Sequence, residues 1–246
     1  MVSWPGRKGH FPEGIAVKKR VAIVQSNYVP WKGYFDIINM VDEFILFDDM
    51  QYTRRDWRNR NKIKTPRGPI WITIPVDAKG KYLQTIKETK ISDLQWGRKH
   101  WDTIIHHYSK AAHFKTCRDV FEELYLGCNE EYLSLINYRF ISAICRLLGI
   151  GTTITWSMDY RLTEGKTEKL IDLCKQAGAT EYVSGPLAKG YIDEALFEQE
   201  GIALTWMDYS DYPEYPQLHP PFDHYVSIID LILNAGPDST RFMKSF

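Results

Sequence analysis

The chain has 246 residues, 44% of them hydrophobic, enough for one large core or two small ones. Lys and Arg number 31 and Asp and Glu also number 31. This neutral total excludes a general attraction to nucleic acid or membranes, so any basic site has to be local.

No apolar run approaches the ~20 residues that span a bilayer. The opening MVSWPGRKGHFPEGIAVKKR has no apolar h-region of a signal peptide. A cytoplasmic protein is expected, with residues 1–19 as a poorly ordered polar arm and residues 20–246 as one α/β domain. Val21-Ala22-Ile23-Val24 reads as a buried strand, and Asn27 to Pro30 as a turn. From Gly33 to Val41, Phe35, Ile38 and Val41 share a helical face. Glu43 to Asp48 is a second strand, Met50 to Arg67 a basic polar stretch, and Ile70 to Val76 a third strand. Ile86 to Ile91 suits a short strand. Three helices follow over about 95–150, at Trp96–Tyr108, Thr116–Leu126 and Glu130–Leu148, the last closed by Gly149. The β/α alternation then returns. Strands are expected at Thr152–Ser157, Glu181–Ser184 and Ile202–Met207, and helices at Thr167–Gln176, Tyr191–Glu200 and Val226–Asn234. The fold class is α/β: a mostly parallel sheet with helices on both faces and a helical insertion in the middle. Cys117, Cys128, Cys145 and Cys174 form no C-x-x-C pair and read as reduced, largely buried thiols.

Ligands of parallel sheets sit beyond the carboxyl ends of the strands, which here fall after Val24, Phe47, Trp156, Val183 and Trp206. The first such stretch is Gln25-Ser26-Asn27-Tyr28-Val29-Pro30-Trp31-Lys32-Gly33-Tyr34. A loop entering a helix offers free N–H groups to an anion, Gly33 permits close approach and Lys32 can pair with phosphate. A plain βα connection plugged by aromatics is the alternative. The second stretch sets Asp48 and Asp49 beside Gln51, Tyr52, Arg54, Arg55, Trp57, Arg58, Asn59, Arg60 and Asn61. Arg forks bind phosphate or carboxylate, and the paired aspartates suit proton acceptance or Mg²⁺. The alternative is a solvated loop of mutually neutralised charges. The third, Ser157 to Tyr160 and then Thr163-Glu164-Gly165-Lys166-Thr167, places Gly-Lys-Thr at a helix start without the spacing of a P-loop. It suits a phosphate and equally an ordinary helix cap. The fourth is Ser184-Gly185-Pro186 with Lys189-Gly190-Tyr191. The fifth, Tyr212 to His219 with Tyr215 and Gln217, reads as a lid or an ordered surface loop. His100, His106, His107 and His113 match no metal-binding spacing, so no metal site is assigned and core or surface histidines are expected. The 15 Tyr and 8 Trp suit a sugar or flat-ring site, and equally a core.

Together these stretches resemble the WbqC-like family. Its Q-x-x-Y-x-P-W-x-G-Y-F opening matches Gln25 to Phe35, and D-x-x-Q-Y-x-(R/K)-x-x-W-x-N-R-N matches Asp48 to Asn61. Its W-x-T-x-P-V, Y-x-S-G and Y-P-x-Y-x-Q motifs match Trp71–Val76, Tyr182–Gly185 and Tyr212–Gln217, and its closing S-I-I-D-L-(I/L)-x-N-x-G matches Ser227–Gly236. The resemblance implies a setting among O-antigen and capsule genes. In that setting members are suspected of acylating or aminoacylating amino sugars on nucleotide carriers, and the leading reading is an acyl or aminoacyl transferase, or an ATP-dependent ligase, of that kind. A more distant similarity is to nucleotidylyltransferases and adenylate-forming ligases, whose P-x-H-x-G-H loop has Pro30-Trp31-Lys32-Gly33-Tyr34 in its place here, lacking both histidines and one residue of spacing. ATP with Mg²⁺ is the candidate cofactor.

In this reading Asp48, Asp49 and Lys32 are the catalytic candidates. The substrate-binding candidates are Gln25, Tyr28, Trp31, Gly33, Tyr34, Gln51, Tyr52, Arg54, Arg55, Trp57, Arg58, Asn59, Arg60, Asn61, Ser184, Gly185, Tyr215 and Gln217. Tyr28, Lys32, Asp48, Arg55, Asn59 and Ser184 are expected to converge on one cleft. The partner is a small molecule, with neither nucleic acid nor membrane. The rivals are a nucleotidylyltransferase and a non-catalytic sugar-binding or assembly module.

Overall fold

A computed structural model describes residues 18–246, so residues 1–17 of the expected arm lie outside the described residues. Its last two residues are anchored, Lys18 to Glu181 and Lys19 to Glu43, each at 2.7 Å.

Five parallel strands form the main sheet: β1 (Arg20–Val24), β2 (Glu43–Leu46), β5 (Thr153–Trp156), β6 (Glu181–Ser184) and β7 (Ala203–Trp206). Their spatial order is β5-β2-β1-β6-β7. The crossovers are α1 (Lys32–Asn39), the insertion α2 (Trp96–Tyr108), α3 (Phe114–Leu126) and α4 (Leu133–Leu148), then α5 (Thr167–Gln176) and α6 (Glu194–Gln199). A final helix, α7 (Ile228–Ala235), follows β7. The expected α/β architecture is therefore present.

Alternation along the central strands builds two cores. Ala22, Phe44, Leu46 and Val183 face one way, into a large apolar cluster with α1, α2–α4 and α7. Val21, Ile23, Ile45 and Tyr182 face the other way, against Leu170, Cys174 and Phe197 of α5 and α6. Each fully buried side chain of this kind contributes roughly 1.5–3 kcal/mol. Gly149 closes α4 at φ 74°, the left-handed cap its position suggests.

The third expected strand differs. β4 (Ile70–Thr73) stays out of the parallel sheet and pairs antiparallel with β3 (Arg60–Ile63). The Arg60-Asn61-Lys62-Ile63 run looked like a polar loop because its buried face includes an asparagine. Asn61 and Ile63 point inward while Arg60 and Lys62 are part-exposed, the period of a strand. The stretch Ile86–Ile91 does not form a strand; it makes isolated bridges, Lys90 with Tyr132 and Ile91 with Val76, and Thr85 just before it bridges Gln51.

Candidate functional site

From β1 the chain runs through α1 to β2 on one side, whereas β6 and β7 lie on the other. Connections thus diverge between β1 and β6, and parallel sheets open a crevice at such a point beyond the strand ends. A cavity of about 610 Å³ lies there. Val24 and Gln25 at the end of β1, Phe47 after β2, and Ser184 and Gly185 at the end of β6 line it. So do Gly165, Lys166, Lys169 and Leu170 around the start of α5, together with Leu187, Ala188, Tyr191, Met50 and Arg58. The wall is largely apolar. Its three formal charges are those of Arg58, Lys166 and Lys169, and no carboxylate lines it.

Arg58 is held from several sides. Its side chain is 13% exposed, one guanidinium nitrogen donates to Asn27 Oδ1 and another lies 3.6 Å from Asp56. Its Nε has no partner among the described residues. Asn137 Nδ2 donates to the Arg58 carbonyl and to Ser26 Oγ, both at 2.9 Å. The Ser26 N–H donates at 2.9 Å to Asp48, whose other oxygen accepts from Ser134. Asp48 is thus a buried hub fixing the loop that presents Gln25. Burial pushes its pKa up, against the downward pull of the Ser134 and Ser26 hydrogen bonds. Tyr34 also braces this loop, donating to the Gln25 carbonyl at 3.0 Å.

Of the residues expected in one cleft, only Ser184 lines the cavity; Gln25, Arg58 and Gly185 from the wider set join it. Tyr28 is fully buried, with His100 Nδ1 2.9 Å from its hydroxyl and the Tyr125 hydroxyl at 3.1 Å. His100 Nε2 lies 3.1 Å from the Thr73 carbonyl, a pure acceptor, so Nε2 carries the proton and Nδ1 accepts from Tyr28. Trp31 packs among Tyr209, Tyr212 and Tyr225. A Cβ on Gly33 would come within 2.4 Å of the Trp31 indole, so that indole, rather than a ligand, occupies the space the glycine leaves. Lys32 donates to the Pro213 carbonyl at 2.9 Å, and burial pushes its pKa down to about 8. Asn59 donates to the Ile74 carbonyl, and Asn61 to the carbonyls of Tyr28 and Val29. Val29 sits at φ 37°, a strained value for a β-branched residue, and Ser227 grips the same carbonyl.

Asp49 is tied to Lys87 and, at 2.6 Å, to Ser157 Oγ. Each oxygen of Asp48 and Asp49 thus already accepts from a protein donor. No group of three His, Cys, Asp or Glu suited to a metal occurs among the described residues. Gln51, Tyr52 and Arg54 border a separate concavity of about 290 Å³ with Lys81 and Tyr82. Arg55 is exposed, while Trp57 and Arg60 pack on Trp71. The segment expected as a lid is strapped down instead. Tyr212 donates to Asp36 at 2.5 Å, Tyr215 to Asp230 at 2.8 Å, and Gln217 accepts from Lys64 at 2.9 Å.

The cavity residues absent from the candidate set are chiefly Gly165, Lys166, Lys169 and Tyr191. The Gly-Lys-Thr stretch and the Lys-Gly-Tyr stretch were their only signals. Thr167 itself is spent internally, accepting from the Asp193 N–H at 3.1 Å. No helix is long and apolar enough to cross a membrane among the described residues.

A model of the WbqC-like protein family matches residues 25–242. The chain belongs to this family. It is also 52% identical over 226 residues to a Mycobacterium tuberculosis (strain ATCC 25618 / H37Rv) protein named "Uncharacterized protein Rv1507c", covering 92% of this chain and 98% of that one. No solved structure matches the chain. The WbqC-like match spans the inward-turned motifs and all of the cavity lining except Ile23 and Val24.

Proposed function

We propose that this WbqC-like protein is a cytoplasmic transferase or ligase that acylates, or aminoacylates, the amine of a nucleotide-linked sugar for surface-polysaccharide assembly, with the nucleotide carrier in the switch-point cavity. One observation carries the reading: Arg58, Lys166 and Lys169 converge on a largely apolar cavity that no carboxylate lines. A largely buried guanidinium at the cavity wall suits a phosphate, and two flexible ammonium groups suit the rest of a diphosphate. Phe47, Tyr182 and Tyr191 supply ring surface for a base or sugar. In the reaction the amine nitrogen forms the amide bond while the acyl carrier leaves with its electron pair, and the nitrogen's proton passes to a base. Asp48, Asp49 and Lys32 do not line the cavity, so the proposal rests on the cations rather than on a named base.

The strand order supports a nucleotidyl-transfer alternative as well, because open parallel sheets bind ligands of many kinds at such a crevice. Thermal shifts separate the two. A shift with nucleoside-diphosphate amino sugars, lost in Arg58→Lys, supports the acyl-transfer reading. A shift with ATP and Mg²⁺, followed by pyrophosphate release on adding an amino acid, makes it a ligase. Pyrophosphate release on adding a sugar phosphate, without an acyl donor, favours nucleotidyl transfer. No shift with either nucleotide class overturns the proposal.

A further inference from the structure

Neutrality of the whole chain conceals a strong local asymmetry. Residues 54–81 hold nine Lys or Arg against two Asp, while the rest of the chain holds 22 Lys or Arg against 29 Asp or Glu. This segment forms the β3–β4 hairpin and its flanking loops; of its cations Lys64 is buried and bound to Gln217, and Arg58 turns to the cavity, which leaves the others for the surface. Asn61, Ile63 and Ile72 face inward and are buried. Arg60 and Lys62 face outward, opposite Thr73 and Trp71.

Large apolar groups stand among these cations. Trp57 is 40% exposed, Trp71 42%, Tyr82 73% and Leu83 85%. Contacts join three of them to the cations in two groups, linked where Arg60 meets the Arg55 carbonyl beside Arg54, and Leu83 follows Tyr82 in the chain. Trp57 lies 5.1 Å from Trp71, and Arg60 sits 4.1 Å over the Trp71 ring while donating to the Arg55 carbonyl. Arg54 lies 5.8 Å over the Tyr82 ring. Residues 57–60 divide between two destinations: Arg58 lines the cavity, and Trp57 and Arg60 build the patch.

We infer that this hairpin face docks on an anionic lipid bilayer, its cations among the headgroups and Trp57, Trp71, Tyr82 and Leu83 at the hydrocarbon boundary. Indole and phenol rings settle at that boundary, and Lys and Arg near it are drawn to anionic leaflets. Two observations favour a bilayer over a nucleic acid. Trp71 is already engaged by Trp57, Arg60 and Lys62, so it offers edge and charge more than a free stacking surface. An exposed leucine gains from an apolar phase, which a nucleic acid lacks. Docking adds to whatever the cavity binds and is independent of it.

The test is co-sedimentation of the full chain with vesicles of phosphatidylcholine alone or mixed with phosphatidylglycerol, at low and at physiological salt. Binding only to the mixed vesicles, weakened by salt, is expected. Each positive charge removed lowers partition roughly five-fold. Arg55→Glu with Lys81→Glu, both exposed, therefore abolishes binding while the melting temperature stays put. Tryptophan emission shifts to the blue on binding, and less so in Trp71→Ala. Three results overturn the inference: no sedimentation with mixed vesicles at low salt, sedimentation unchanged by the double reversal, or full displacement by a single-stranded RNA oligomer. The last would make the patch a nucleic-acid site.

Discussion

The loops that leave the carboxyl ends of the sheet are built on two opposite plans. Those after β1 and β2, including most of residues 25–61, are crowded with Tyr, Trp, Asn, Asp and Arg, and most of those side chains are spent inward. Tyr28 binds His100, Asn61 grips the Val29 carbonyl, Asp48 holds Ser26 and Ser134, and Trp31 fills the space above Gly33. The loops after β5 and β6, near residues 163–191, are plainer and more exposed. Lys166 and Lys169 make no ion pair or hydrogen bond among the described residues and border the cavity. A dense polar motif can therefore mark where a fold must satisfy buried backbone groups, and the open valences for a ligand lie in the sparser loops. Arg58 joins the two plans, since the first set of loops holds it and the cavity receives it.

The sharpest way to break this contrast is at Asp48. Asp48→Ala leaves the Ser26 N–H and the Ser134 hydroxyl buried without their acceptor. At roughly 1–3 kcal/mol for each stranded donor, a loss of about 4 kcal/mol in urea unfolding is expected. An Asp48→Ala protein of normal stability that no longer bound ligand would move Asp48 back into the site.

His100 gives the next largest effect, read against pH. Burial pushes its pKa from 6.5 down to about 4. Between those values the unfolded chain takes up a proton that the native state refuses, so stability falls as pH drops from about 6.5 to about 4 and levels off below. A shift of that size is at most about 3 kcal/mol at the acid end. His100→Gln should flatten the slope of denaturation midpoint against pH. A residual slope of the same sign is expected from His107 and His224, whose pKa values burial also lowers. If the full slope survives in His100→Gln, the buried imidazole is not its source.

Gly33→Ala tests the aromatic plug. The new methyl would meet the Trp31 indole at 2.4 Å, and Tyr209, Tyr212 and Tyr225 restrict the ring's escape. Overpacking of this kind costs about 2 kcal/mol. A neutral Gly33→Ala would show that Trp31 can swing away and that the loop is looser than its packing implies.

Much of the architecture was legible because hydrophobic alternation and β/α spacing are local signals: Val21–Val24, Phe44–Leu46 and Val183 announce buried strands in any context. The β3 strand was not, because Asn61 is buried for the sake of two carbonyls that lie 32 and 33 residues away in sequence. The site divided in the same manner. Ser184, Gly185 and Gln25 sit at strand ends or beside them, Arg58 belongs to the arginine cluster that suits an anion, and all four reach the cavity. Tyr28, Lys32 and Asp48 also sit near strand ends, but whether a side chain turns to solvent or to the core depends on partners such as His100, Pro213 and Ser134 from distant parts of the chain. Spacing carries no trace of those pairings.

The smallest expected change in stability comes from the plain loops, and it is the most informative about function. Lys166 is exposed and Lys169 half-buried at the start of α5, and removing them strands no buried partner. Surface substitutions of this kind stay within about 0.5 kcal/mol. Lys166→Ala with Lys169→Ala should therefore melt with the parent protein. Its binding of a nucleoside diphosphate, followed by calorimetry, should weaken at least about tenfold, since two charge-assisted contacts of roughly 1.5–3 kcal/mol each are lost. Added salt should weaken the parent more than the double variant, because the variant has fewer charges to screen. Unchanged affinity in the double variant would mean that the anion, if one binds, is held elsewhere. The contrast between inward-turned and ligand-facing loops would then lose its functional half, with the packing half left standing on Asp48 and Gly33.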